Sequence, residues 1–161
     1  MVRLAKAYFT YLSSAKASVS IALGDGRLLL RDEAPQKFDL LLLDAFTSDS
    51  VPAHLLTVEA FSVYLRQLAP DGILLANVSN RHVAIERIVA GSAERHGLAM
   101  AVHESPGDPA RGLLRARWAL LARNAGLLTP ALVEQGDMIG AKRAVVWTDQ
   151  HASLWSMLAG P

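Results

Sequence analysis

The chain has 161 residues, with 16 Lys and Arg against 15 Asp and Glu, for a formal net charge of +1. Near-balance of charge gives no basic surface to draw a nucleic acid or an acidic membrane face, and the absence of cysteine excludes disulfides, thiolate nucleophiles and cysteine-ligated metal centres. Hydrophobic residues at 52% against 19% charged supply one buried core in place of a disordered chain.

No apolar run approaches the roughly 20 residues that cross a bilayer, and the first residues lack the apolar stretch of a signal peptide. The expectation is one domain over 1–161, cytoplasmic, with no direct membrane insertion.

In chain order, Val2, Leu4, Ala5, Tyr8, Phe9 and Leu12 recur at spacings of three and four, predicting an apolar helical stripe. No Ser, Thr, Asp or Asn precedes them as an N-cap. Ser18 to Leu23 is β-like, and Gly24-Asp25-Gly26 punctuates it ahead of a short helix over Arg27 to Arg31. Phe38 to Leu43 is an unbroken apolar run closed by Asp44, a pattern that predicts a strand covered on both faces, as in a parallel sheet. Thr57 is placed to cap a helix carrying Val58, Phe61, Leu65 and Leu68, stopped at Pro70-Asp71-Gly72.

Ile73 to Val78 is the next strand, and His82 to His96 the next helix, with Gly97 as its C′ residue. Strands over Ala99 to His103 and Trp118 to Ala122 follow, separated by a Gly/Pro/Asp-rich loop. A short helix near Pro130 to Gln135 and a tail through Val145-Val146-Trp147 complete the chain. Trp118, Trp147 and Trp155 read as packing residues. Strand–helix alternation argues an α/β fold with a mostly parallel sheet.

Ligands of such sheets sit beyond the carboxyl ends of the strands. Three polar clusters fall there: Asp25 in its glycine turn, Asp44 to Ser50, and Asn77 to Arg81. Glycines Gly24 and Gly26 permit close approach of a ligand to backbone, and Asp25 either accepts from a ligand amine or caps its own turn. A carboxylate such as Asp44, closing a buried strand, is costly unless it faces a cleft. With Asp49 and Ser48 it forms an acidic mouth for a cationic amine, one carboxylate taking the proton. Asp49 and Ser50 also suit a plain turn, and Asn80 a plain helix cap. The five histidines show no metal-ligand spacing, so no metal site is expected. Ser13, Ser14 and Ser48 lack the Gly-x-Ser-x-Gly elbow of serine hydrolases.

The ordered set Ala7-Tyr8-Phe9, Gly24-Asp25-Gly26-Arg27 and Phe38 through Pro52 resembles the spermidine synthase (polyamine aminopropyltransferase) superfamily. Within it, Val51 to Thr57, Asn77 to Arg81 and Val146-Trp147-Thr148-Asp149 are similar to the domains that some bacteria join to a membrane-embedded half. The resemblance implies a Rossmann-like S-adenosylmethionine methyltransferase-type sheet of order 3-2-1-4-5-7-6, here lacking its first two strands. It implies transfer of an aminopropyl group from decarboxylated S-adenosylmethionine to a diamine such as putrescine, with no tightly bound cofactor. The partners are then a nucleoside donor and a polyamine acceptor. Self-association as a homo-oligomer is left open.

Carried over residue by residue, Gly24, Asp25 and Gly26 form the turn that contacts the adenine. Asp44 acts on the attacking amine, and Asp49 stands, in a longer loop, for a second carboxylate beside Ser48. The family's Gly-x-Gly turn and its acidic ribose-binding residue have no counterpart here. Asp149-Gln150-His151-Ala152-Ser153 also departs from the family's Asp-Asp-Tyr/Phe-Ser-Asn ending. Two other readings stay open: a methyltransferase using S-adenosylmethionine itself, and a non-catalytic fragment that completes its sheet with a partner.

Overall fold

The computed structural model describes residues 2–45, 52–80, 83–129 and 144–153. Helices α1 (Val2–Tyr8) and α2 (Gly26–Asp32) precede strand β1 (Phe38–Leu43). A 3-10 turn at Ala53–Leu55 leads to α3 (Val58–Gln67), which passes directly into β2 (Leu68–Asn77). Then come α4 (Ile85–Arg95), β3 (Ala99–Ser105) and β4 (Ala116–Ala122).

The four strands form one sheet in the order β1-β2-β4-β3. That order reproduces the 4-5-7-6 half expected of the methyltransferase-type sheet. Parallel pairing is confined to β1 and β2, because β4 runs antiparallel to both β2 and β3. The sheet is therefore mixed, not mostly parallel. Asn77, the last residue of β2, lies opposite Trp118, which puts the start of β4 at the carboxyl ends of the parallel pair.

One face of the sheet makes the core. Leu41, Leu74 and Leu121 share a row, as do Leu43, Ala76 and Ala119. Against them α3 sets Phe61 and Tyr64, rings 5.8 Å apart at 61°, and α4 sets Ile85, Ile88 and Val89, all essentially without solvent contact. Each large side chain so buried stabilises the fold by about 1.5–3 kcal/mol before entropy is charged against it. Thr57 caps α3, its hydroxyl accepting from the Ala60 N–H at 3.2 Å.

Residues 144–153 close the core from the side. Trp147 is 1% exposed, its carbonyl accepts from the Val58 N–H, and the Val145 N–H donates to the Arg87 carbonyl, each at 2.9 Å. Gly91 in α4 makes that approach possible, since a Cβ there would lie 2.6 Å from the Val145 carbonyl carbon.

The other face changes character across the sheet. Ala101, Leu120 and Ala122 are buried, yet Leu40 and Leu42 of β1 are 57% and 52% exposed. Double coverage of β1, expected from its apolar run, is not observed: among the described residues β1 is an edge strand whose Leu40 and Leu42 face is left uncovered. Ser18 to Leu23, expected as a strand, pairs with none of the described residues and is exposed throughout. Backbone extended without a neighbour forms no ladder. Helix α1 is likewise shorter than its periodicity predicts and buries no side chain, with Leu4 at 54% and Tyr8 at 78% exposure. Among the described residues no sheet face lies beneath its apolar stripe.

Two boundaries also differ. β2 begins at Leu68 and runs through Pro70-Asp71-Gly72, with an irregularity between the pairs Phe38–Leu68 and Leu40–Ile73. α4 starts at Ile85, because Asn80 first accepts from the Val83 N–H in a local turn. The short helix expected near Pro130 to Gln135, and Trp155, lie outside the described residues.

Candidate functional site

The carboxyl ends of β1 and β2 bring the first pair of polar side chains together. Asp44 directly follows β1 and is exposed. Its Oδ1 accepts from the Asn77 amide Nδ2 at 2.8 Å. Asn77 is itself oriented, since its Oδ1 accepts from the Ser79 N–H at 2.9 Å. Parallel register, with Leu43 beside Ala76, is what sets these two strand ends side by side. Ser79 continues the line by accepting from the Arg117 N–H at 2.8 Å, and Arg117 pairs with Glu86 and Glu104. An exposed carboxylate held on one oxygen by an amide leaves its other oxygen open to a ligand.

The glycine turn makes a second cluster. Gly24 has φ of +154°, a conformation that side chains rarely allow, whereas a Cβ on Gly26 would meet nothing. Asp25 is the N-cap of α2, its Oδ1 accepting from the Leu28 N–H at 2.9 Å. Its Oδ2 lies 2.8 Å from His54 Nε2. The Leu28 N–H, then the His54 ring, hold the Asp25 carboxyl below its ordinary range. The capping reading of Asp25 is thus realised in the structure. The bond to His54 adds a tie to the connection that leaves β1.

Next to it lies a third group. The Arg27 guanidinium donates to both carboxylate oxygens of Asp149, at 2.8 and 2.6 Å, and to the His54 carbonyl at 2.7 Å. Thr57 Oγ1 donates to Asp149 Oδ1 at 2.7 Å while serving as the cap of α3. The Asp149 N–H donates to Glu59 at 3.1 Å. Arg27 first, and Thr57 after it, lower the Asp149 carboxyl from 3.8 to about 2, and Asp149 in turn raises Arg27. Nearby, burial pushes the Tyr64 phenol up, and its hydroxyl donates to the Leu55 carbonyl.

Asp25 and Asp44 are not bonded to one another. Asp44 is tied to Asn77, and Asp25 to His54, at the two ends of one connection. Asp49 and Ser48, the expected substrate-binding residues, lie within that connection and outside the described residues, as does Arg81. Arg27, His54, Thr57 and Asp149 all fall in stretches that carry the family resemblance, but no local motif announces that they meet in one network. The available signals were a carboxylate two positions after the buried Trp147, and a histidine inside an otherwise apolar Val51 to Leu56. Among the described residues no three His, Asp or Glu gather as a metal site, and no helix is long and apolar enough to cross a membrane.

No protein-family model matches the chain. Over 77 residues, 47% of its length, it is 34% identical to a polyamine aminopropyltransferase of Vibrio vulnificus strain CMCP6, and it spans 25% of that protein. In three dimensions it is similar to a probable spermidine synthase from Corynebacterium glutamicum ATCC 13032. There the TM-score is 0.56 at 21% identity, covering 75% of this chain and 43% of the other. Spermidine synthase from Thermotoga maritima gives a TM-score of 0.54 at 13% identity, over 99% of this chain and 54% of that one. At such identities the two structures attest the fold.

Proposed function

We infer that this chain is a spermidine-synthase-like domain, a reading supported by its similarity to a polyamine aminopropyltransferase and by its fold, and that it transfers an aminopropyl group from decarboxylated S-adenosylmethionine to a diamine such as putrescine. The observation that carries this reading is Asp44: exposed at the carboxyl end of β1 and aimed by Asn77 from the adjacent strand. A primary amine is mostly protonated near neutrality. Asp44 attracts the ammonium group and takes its proton, directly or through water, as the nitrogen lone pair forms the new C–N bond. The C–S bond of the sulfonium breaks with its electron pair going to sulfur, and methylthioadenosine leaves. Holding amine and sulfonium in line supplies much of the remaining acceleration. Gly24, Asp25 and Gly26 contact the nucleoside, while Asp49 and Ser48 serve the acceptor end.

The test incubates the purified chain with putrescine and either decarboxylated or ordinary S-adenosylmethionine. Methylthioadenosine release only with the decarboxylated donor supports the reading. S-adenosylhomocysteine formation from the ordinary donor favours the methyltransferase alternative.

The exposed Leu40 and Leu42, together with a segment 18–23 that pairs with none of the described residues, favour one further reading, in which the sheet is completed by a partner and this chain alone is non-catalytic. Light scattering on the wild type and Leu40→Lys separates the two. A monomer in both cases removes the support for it.

A further inference from the structure

Helix α2 buries none of its residues, and at seven residues it is too short to persist through its own hydrogen bonds. Its place must come from outside ties: Leu30 packs partly buried against the core, and the other ties are polar. At its far end the Leu30 carbonyl accepts from Arg66 at 2.9 Å and from Gln67 at 2.7 Å. At its start, Arg27 reaches across to Asp149, Thr57 and the His54 carbonyl. The Arg27 side chain is only 15% exposed, so water competes weakly for its donors. A planar guanidinium on a carboxylate fixes direction as well as distance. Asp149 is itself anchored through the buried Trp147.

We propose that Arg27 and Asp149 are positioning residues for the nucleoside end of the site. Their forked pair, shared with Thr57, holds the turn carrying Asp25 against the connection that leaves β1. Residues 144–153 are then a working part of the site and not a trailing tail. This rests on the reading of Asp25 as a nucleoside contact given above. A Lys at position 27 would keep the charge but lose the fork, and Asn at 149 would keep the shape but lose the charge.

The experiment uses the full chain, with Asp149→Asn and Arg27→Lys as variants. Amide hydrogen exchange is followed at Leu28 and Leu29, whose N–H groups bond to Asp25. Methylthioadenosine affinity is followed by titration calorimetry. In Asp149→Asn, exchange at both amides accelerates about tenfold while Leu74 and Leu121 in the sheet are unchanged. Affinity for methylthioadenosine falls by about the same factor. Arg27→Lys shows a smaller change in both. Unchanged exchange at Leu28 and Leu29 overturns the proposal. So does faster exchange with undiminished affinity, because the clasp would then hold a turn that the nucleoside does not use. A wild-type chain that takes up no methylthioadenosine fails at the underlying reading, and the exchange measurement, which involves no nucleoside, tells the two failures apart.

Discussion

Arg27 and Asp149 meet fork to carboxylate across 122 positions of sequence, at 2.8 and 2.6 Å. The pair joins a turn near the start of the chain to a segment near its end, with Thr57 between them. Through His54 the same turn reaches the connection that begins at Asp44.

The acid limb of stability is one measurable consequence. Asp149 falls from 3.8 to about 2 on folding, through Arg27 and then Thr57. A lowered folded value means that the stabilisation is complete above about pH 4 and is lost as pH falls toward about 2. Because Asp149 is 43% exposed, solvent reduces the pair to about 1 kcal/mol. Asp149→Asn is therefore expected to lower the melting temperature at pH 6 and to leave it nearly unchanged at pH 2, so the two curves converge in acid. Parallel curves over that range would mean the pair is not formed in solution.

Thr57→Val carries a local cost of a different kind. The hydroxyl accepts from the Ala60 N–H and donates to Asp149, in a residue 1% exposed. Valine fills the same volume but leaves a buried N–H without a partner, which predicts a loss of about 1–2 kcal/mol. Urea unfolding checks it. Asp149→Asn in the same background should add less than it does alone, since the two residues are hydrogen-bonded to each other.

Asp44 and Asp25 are expected to fail in opposite ways. Asp44→Asn keeps the hydrogen bond to Asn77 within reach but cannot take a proton, so turnover falls by about 10²–10⁴-fold while methylthioadenosine binding changes little. Asp25→Ala weakens methylthioadenosine binding and also removes the cap of α2. Steady-state kinetics beside calorimetry separates the two. Equal losses of turnover and affinity in Asp44→Asn would sink the base role.

How much of this could be read from the residues depends on whether the signal was local. Thr57 as a helix cap, Gly97 ending α4 and the strand ends at Asp44 and Asn77 all rest on neighbours in sequence. The 18–23 segment and the α1 stripe show the opposite case. Their patterns are those of buried elements, but burial needs a facing surface, and among the described residues none is there. The apolar run at 38–43 misled for the same reason, because it reports what the strand could bury and not where it sits in the sheet. Arg27–Asp149 and Asp25–His54 were illegible because a single charge carries no period and no register. The first of these pairs follows only after Trp147 has brought residues 144–153 against α4.

Gly91 tests that last point directly. Alanine would ordinarily improve a helix interior by about 1 kcal/mol over glycine. Here a Cβ would lie 2.6 Å from the Val145 carbonyl carbon, and backbone cannot swing aside as a side chain can. Either α4 or the 144–147 segment must move, and overpacking of this sort costs about 1–3 kcal/mol. The clash outweighs the propensity gain, so Gly91→Ala should lower the urea midpoint. Loosening the segment would also let water reach Trp147 and shift its emission to the red, and with it weaken the hold of Asp149 on Arg27. The same substitution in a chain whose C-terminal segment lay elsewhere would raise the midpoint. A higher midpoint with unshifted tryptophan emission would therefore remove the segment from α4 and the clasp along with it.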